Sequence, residues 1–323
     1  IDVKLPIERI TWQEAMDRFG SDKPDTRYGM EIQDISEYVK DCGFGVFTGA
    51  IEAGGSVRAI VAKQAAGTLT RKEIDKLTEM VKGIGAKGLA FIRWVEEKPS
   101  CSFGKFVGED KLHEILQALD CQQGDVVLIV ADKNKVTLPV LGALRQTVAR
   151  KLDLIPEGQF NFLWITQMPF FEWDEDNNCW MAMHHPFTMP EDDCLQYLDS
   201  APEKVIAKAF DLVLNGTELS SGSIRITNYE LQQKMFQALG LTDEEIEAKF
   251  GFLVEAYRFG APPHGGMGIG LDRLAMVMLG VDSLRDVTAF PKVQNASELM
   301  SACPSAVDKE NLDILGIAVT ETE

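Results

Sequence analysis

The stretch that decides the fold is Ala209-Phe210-Asp211-Leu212-Val213-Leu214-Asn215-Gly216-Thr217-Glu218-Leu219-Ser220-Ser221-Gly222-Ser223-Ile224-Arg225-Ile226. Asn-Gly between two β-rich runs is the preferred pair for a two-residue type I′ turn, so residues 209–226 read as a hairpin. If the turn sets the register, Val213 faces Glu218 and Asp211 faces Ser220. Asp211 and Glu218 are then diagonal neighbours on one face. The other face carries Phe210, Leu212, Leu214 and Leu219 and reads as the core side. Two close carboxylates repel unless a cation sits between them, and Mg²⁺ suits carboxylates that share it with substrate phosphates. The bland alternative, two solvated strand carboxylates, is favoured by the pattern alone. By alternation Arg225 points away from Glu218. A bulge within Ser220-Ser221-Gly222-Ser223 would return it to that face, where a guanidinium can grip a carboxylate through two parallel hydrogen bonds. Parity alone favours an ordinary surface arginine.

Beyond the hairpin come two capped helices, one before Gly240 and one before Gly260. Gly265-Gly266-Met267-Gly268-Ile269-Gly270-Leu271-Asp272-Arg273 then runs into a helix. Helix-start N–H groups favour anions, and Arg273 adds a full charge; a glycine-rich strand packed closely on a helix would look the same. The pattern is not a P-loop, having no Gly-Lys-Ser/Thr. Upstream, Phe162-Leu163-Trp164-Ile165 reads as a strand, and another ends in Met181-Ala182-Met183-His184-His185-Pro186-Phe187. Adjacent strand residues face opposite ways, so His184 and His185 share a site only where the strand stops, as Pro186 suggests. A packed structural histidine is the ordinary alternative, more so for His185.

Residues from about 30 to 135 read as a separate α+β unit. Short β-rich runs at 57–61, 89–92 and 126–130 alternate with two helices. One starts at a capping box, Thr70-Arg71-Lys72-Glu73, with Ile74, Leu77 and Val81 on one face; the other carries Leu112, Ile115, Leu116 and Leu119. A longer helix follows Pro139, with Leu141, Leu144, Val148 and Leu152 inward. A short helix over 11–19 begins at a second capping box, Thr11-Trp12-Gln13-Glu14, and Ser21-Asp22-Lys23-Pro24-Asp25 is a polar loop.

The 323 residues suit two ordinary domains, and 45% hydrophobic with 25% charged residues is the profile of a soluble globular protein. A net charge of −18 argues against broad nucleic-acid binding, so any such partner docks on a local basic surface or another part of the protein. No apolar run is long enough for a membrane helix. The start, Ile1-Asp2-Val3-Lys4-Leu5-Pro6, has neither a signal-peptide pattern nor an initiator Met, which fits a processed chain or an excised piece. The six cysteines form no Cys-x-x-Cys pair, which speaks for reduced thiols rather than zinc.

Together these segments resemble the class II aminoacyl-tRNA synthetases, and specifically the bacterial aspartyl enzymes. Gly270-Leu271-Asp272-Arg273 is similar to the third class II motif. The order and wording of Phe19-Gly20-Ser21-Asp22-Lys23-Pro24-Asp25, Ala182-Met183-His184-His185-Pro186-Phe187, Gly222-Ser223-Ile224-Arg225-Ile226, Pro262-Pro263-His264-Gly265 and Ala289-Phe290-Pro291-Lys292 match that group over nearly the whole chain. The resemblance implies an α+β fold, an antiparallel sheet with flanking helices. Catalytic-domain segments at 1–29 and 148–323 would enclose an inserted α+β domain at 30–147, of the kind shared with a tRNA-dependent amidotransferase subunit. It implies that Arg225, His184 and His185 bind aspartate. Asp211 and Glu218 would hold Mg²⁺, and Glu218 with Gly270, Leu271, Asp272 and Arg273 would bind ATP, Arg273 and Glu218 acting in catalysis. It also implies a tRNA partner, a homodimeric whole protein and a cytoplasmic location. The first two class II motifs and the anticodon-binding barrel have no counterpart in the chain, so this stretch alone is expected to be inactive. Ser220-Ser221-Gly222 stands where a triple glycine is common. Two rivals remain: a paralogue that amidates aspartate with ammonia, and a module that only binds.

Overall fold

Thr11 closes strand β1 (Glu8–Thr11) and caps helix α1 (Trp12–Phe19), its hydroxyl accepting the Glu14 N–H at 3.1 Å. The reciprocal half of the expected capping box does not form, because the Glu14 carboxylate takes the Arg18 guanidinium at 2.9 Å. The helix stops at Gly20, left-handed at φ 67°. The computed structural model describes residues 3–320, which divide between two compact units, Ile1–Ile269 and Gly270–Glu323.

Within the first unit the chain next builds a sheet of its own. Its elements are β2 (Gln33–Asp34), α2 (Ser36–Val39), α3 (Gly45–Glu52), β3 (Ser56–Ala62), α4 (Arg71–Ile84), β4 (Ala90–Arg93), β5 (Ser100–Cys101), α5 (Glu109–Ala118), β6 (Val126–Asp132) and α6 (Asn134–Lys151). The strands pair antiparallel in the order β2-β3-β6-β4-β5. β3 and β6 are apolar on both faces because both are covered. Ile60, Leu128 and Val130 pack with Ile74, Leu77, Leu141 and Val148 of α4 and α6. Val57, Val127 and Ile129 pack with Val39, Phe47 and Ile115 of α2, α3 and α5.

Two local expectations fail here. Thr70 makes no side-chain cap, and the reciprocal half of the box is absent too, the Glu73 carboxylate being taken by Lys76 at 2.7 Å and by Lys151. α6 begins at Asn134 and contains Pro139 rather than following it. The proline forfeits one backbone bond, but Leu138, Val140, Leu141 and Leu144 around it are buried, and that packing carries the helix through. Helix α3 was not legible at all: its glycines are poor helix formers, and burial of Phe47 supplies what propensity lacks.

The chain then returns to the first sheet through β7 (Phe162–Pro169), with β8 (Phe171–Asp174) and β9 (Cys179–Ala182) as a separate hairpin. β10 (Ile206–Leu214), β11 (Thr217–Ile224), α7 (Tyr229–Ala238), α8 (Asp243–Arg258) and β12 (Gly265–Ile269) follow. The sheet order is β1-β7-β10-β11-β12, antiparallel except for the parallel edge pair β1–β7. Asn228 caps α7, and Thr242 with Glu245 forms a full capping box on α8.

The strand expected to reach Phe187 ends at Ala182. Its partner β8 begins at Phe171, opposite Ala182, so the ladder runs out. Leu214 and Leu219 are buried as expected, but along the rest of β10 the core side is reversed. Ala207, Ala209, Asp211 and Val213 are buried on β10, the two alanines and Val213 in one apolar cluster with Ile10, Ala15 and Phe19, while Phe210 and Leu212 are half-buried. Ala209 on that side also lines the cavity that Arg225 faces. Phe210 sits on the other, edge-on to Trp164 with ring centroids 5.8 Å apart.

The second unit contains α9 (Leu271–Leu279) and α10 (Lys309–Leu315). Among the described residues no helix is long and apolar enough to cross a membrane.

Candidate active site

At the hairpin tip Asn215 and Gly216 take φ 50° and 81°, both positive as a type I′ turn requires. Val213 pairs with Glu218 as the turn dictates, but the next pair is Leu212 with Ser220. Leu219 is thus an extra residue, a β-bulge, and parity slips by one. Asp211 pairs with Ser221, not Ser220, and Ala209 with Ser223. Glu218, Asp211, Ser221, Ser223 and Arg225 consequently share one face. The bulge expected at 220–223 is therefore corrected to Leu219; pairing runs unbroken from Ser220 to Ser223. Gly222 serves close approach instead: a Cβ there would lie 2.6 Å from the Phe210 ring and 2.5 Å from the Gly266 carbonyl oxygen.

Asp211 is 5% exposed, and its Oδ1 is buried without a hydrogen-bond partner. Burial pushes its pKa up, the charge of Glu218 adds to this, and a Ser221 hydrogen bond and His184 oppose it. A buried carboxylate oxygen without a donor, beside a second carboxylate, fits a hard divalent cation, which supplies the missing positive charge. Among the described residues no group of three or more His, Cys, Asp or Glu is disposed to cage a metal. Mg²⁺ does not need one, since it keeps waters and substrate oxygens in its shell.

The 21–25 loop crosses the hairpin tip and brings Lys23 Nζ to 3.9 Å from Glu218 Oε2. Arg145 of α6, 2% exposed, fixes this loop from beneath. Its Nη2 donates to the carbonyls of Asp25, Tyr28 and Gly29 at 2.9, 2.9 and 3.0 Å. Its guanidinium also lies 4.8 Å from the Phe19 ring centroid and 4.3 Å from that of Tyr28. The sequence reading assigned Arg145 no role; an arginine inside an otherwise apolar helical stripe was the available signal.

Arg225 faces a cavity of about 420 Å³ lined also by His184, Ser221, Ser223 and Gly268. His185 holds it: Arg225 Nη1 lies 2.9 Å from His185 Nε2. Nδ1 lies 3.1 Å from the same Arg225 nitrogen and accepts the Phe187 N–H at 3.3 Å, and the Thr188 hydroxyl stands 3.3 Å from it. Burial, and then the Arg225 charge, lower the His185 pKa, keeping the ring neutral. His184 is exposed at the cavity rim. The two histidines enter one site because they lie past the end of β9, where strand alternation no longer binds them.

In the second unit Gly270 caps α9 with extended backbone (φ −74°, ψ 98°) and no side-chain cap, and Asp272 and Arg273 occupy its first turn. A Cβ on Gly270 would come 3.3 Å from Arg273 Cδ, so the glycine leaves room for the arginine to fold back over the helix start.

An antiparallel sheet that presents a carboxylate pair and a histidine-braced arginine on one face, then runs through a glycine strand into an arginine-bearing helix, is the architecture of the class II tRNA synthetases. Residues 1–294 match the family model of the class II tRNA synthetases (D, K and N), and the chain belongs to that family. Within it the similarity is to aspartate enzymes. The chain is 52% identical to the aspartate–tRNA ligase of Agathobacter rectalis, over 100% of this chain and 54% of that protein. It is also 52% identical to the aspartate–tRNA(Asp/Asn) ligase of Lachnoclostridium phytofermentans, over 99% of this chain and 54% of that protein. The chain thus spans about half the length of the curated relatives it matches. Among solved structures, the aspartyl tRNA synthetase of Entamoeba histolytica aligns at 20% identity and a TM-score of 0.35 over 75% of this chain and 44% of that one, too loosely to add to the argument.

Proposed function

We propose that this chain is the aspartate- and ATP-recognising part of an aspartate–tRNA ligase, which activates L-aspartate with ATP to aspartyl-adenylate and then charges tRNA. The observation that carries this reading is Arg225, braced by His185 on the same sheet face as Asp211 and Glu218. In a partly buried cavity a guanidinium selects a carboxylate by two parallel hydrogen bonds, so Arg225 takes the aspartate side chain. His185 acts through Arg225: it keeps the fork turned to the cavity without neutralising its charge. His184, at the rim, positions the amino acid. Asp211 and Glu218 fit Mg²⁺, which when bound screens the phosphate charge of ATP. Glu218 and the Gly270–Arg273 helix start contact ATP itself, with Arg273 and Glu218 acting in catalysis.

No side chain needs to act as a nucleophile. The aspartate α-carboxylate attacks the α-phosphate and pyrophosphate leaves, so the protein's work is positioning and charge stabilisation. The residues at 30–147 form an inserted domain, and those at 1–29 and 148–323 belong to the catalytic domain. The whole protein acts as a homodimer on tRNA in the cytoplasm. The stretch 1–323 by itself does not form adenylate.

Aspartate-dependent exchange of pyrophosphate into ATP by the whole protein tests the reading. Exchange driven by L-aspartate and not by L-asparagine is expected. Asparagine formation from aspartate and ammonia would instead point to an amidating enzyme on the same frame.

A further inference from the structure

The carboxylate pair has a cation of its own close by. Lys23 Nζ lies 3.9 Å from Glu218 Oε2 and 3.7 Å from Asp22 Oδ1. Two carboxylates thus flank the ammonium, and both Glu218 and Asp22 bear electrostatically on Asp211. The loop that delivers Lys23 is fastened at both ends. At its start Gly20 and Gly142 interlock: a Cβ on Gly20 would meet the Leu138 carbonyl oxygen at 2.1 Å, and one on Gly142 the Gly20 oxygen at 2.5 Å. At its end Arg145 holds the Asp25, Tyr28 and Gly29 carbonyls, and Arg27 Nη2 clamps Asp25 at 2.7 Å. Asp25 in turn rests on the hairpin tip, where a Cβ on Gly216 would stand 3.2 Å from its own Cβ. Pro24 confines the backbone of Lys23 to extended conformations.

We propose that Lys23 is the resident counter-charge of the Asp211–Glu218 pair: it occupies the pair's field when no divalent cation is bound and competes with that cation for it. The proposal rests on reading the pair as a cation site. The backbone at Lys23 is anchored, but its side chain is about half exposed, at 49%, so the ammonium can swing out to solvent when a stronger cation arrives. Lysine suits this exchange better than arginine, being a compact point charge on a flexible stem rather than a planar fork that would lock both oxygens. Asp211 supplies the other half of the observation. Its Oδ1 is buried and has no partner, and Lys23 pairs with Glu218, so one carboxylate of the two is left for an ion to complete. Lys23 is therefore a positioning residue that sets the affinity of the pair for the ion and takes no part in the chemistry.

The probe is Mn²⁺ alone, titrated into the chain and read by loss of the free-ion electron paramagnetic resonance signal. Lys23→Met removes the charge and keeps the length. It is expected to tighten Mn²⁺ binding roughly threefold to tenfold, the size expected for one unit charge at a largely solvated distance. The gain should shrink when salt is raised to about 0.5 M. Lys23→Arg is expected to bind within about twofold of the unaltered chain or more weakly, and Asp211→Asn to abolish binding in either background. If Lys23→Met binds equally or less tightly while Asp211→Asn still abolishes binding, the role of Lys23 is overturned and the cation site stands. If Asp211→Asn leaves binding unchanged, or no variant binds Mn²⁺, the cation site falls and this proposal with it.

Discussion

Arg145→Met is expected to unfasten the loop that carries Lys23. All three carbonyl contacts leave from a single nitrogen, Nη2, at 2.9–3.0 Å. That nitrogen has two hydrogens, so the three contacts amount to about two full hydrogen bonds. A charge-assisted bond contributes roughly 1.5–3 kcal/mol, which sets a ceiling near 6 kcal/mol. Two effects bring it down. Arg145 Nε is buried without a partner, a cost that methionine removes. Burial also lowers the pKa of the guanidinium, so the charge is already opposed by its surroundings. Methionine keeps much of the contact with Phe19 and Tyr28. The net loss should be about 2–4 kcal/mol, in the range of a broken buried polar network. Urea denaturation of the chain at pH 7, compared with the unaltered protein at equal m-value, measures it. A loss below about 0.5 kcal/mol would refute the idea that Arg145 fastens the loop.

Three further outcomes are expected. Asp211 has its pKa raised in the fold above the ordinary 3.8, so its favourable contribution is present below about pH 4 and lost as pH rises through the folded value; Asp211→Asn should be more stable than the parent chain at pH 7, by urea midpoint, and no gain there would contradict the burial argument. His185 has its pKa lowered below the ordinary 6.5, so stability is full above that pH and falls as protons bind the unfolded chain first; His185→Gln should flatten the slope between pH 7 and 5, and an NMR titration of His185 at or above 6.5 would contradict it. Gly222→Ala places a Cβ 2.6 Å from the Phe210 ring and 2.5 Å from the Gly266 oxygen, and should cost about 1–3 kcal/mol by thermal or urea unfolding; an unchanged midpoint would mean that β12 shifts freely.

The hairpin, its turn type and the pairing of Val213 with Glu218 were legible because Asn215-Gly216 admits few alternatives. The bulge was half legible. A change of parity between Glu218 and Arg225 is needed to bring both to one side, but nothing local says which residue is extra. Gly222 attracted the assignment because glycine marks bulges, whereas here it makes room for Phe210. The buried face of β10 was misread because Phe210 and Leu212 are larger than Ala207 and Ala209, yet it is the alanines that join the apolar cluster of Ile10, Ala15 and Phe19, residues from nearly 200 positions earlier. The Glu73 half of the Thr70 box failed because Lys76 and Lys151 compete for its carboxylate. Arg145 was signalled only by its place in an apolar helical stripe; its carbonyl partners and the Lys23–Glu218 approach lay beyond reach, being contacts made across distant parts of the chain.

The most direct test of the central claim is aspartate-dependent pyrophosphate exchange by the whole protein carrying Arg225→Ala, at saturating ATP. Removing the charged partner of a desolvated carboxylate should cost roughly 2–5 kcal/mol, a fall of about thirtyfold to several thousandfold in activity with aspartate. Exchange close to that of the unaltered protein would show that Arg225 does not hold the substrate and that the site has been wrongly assigned.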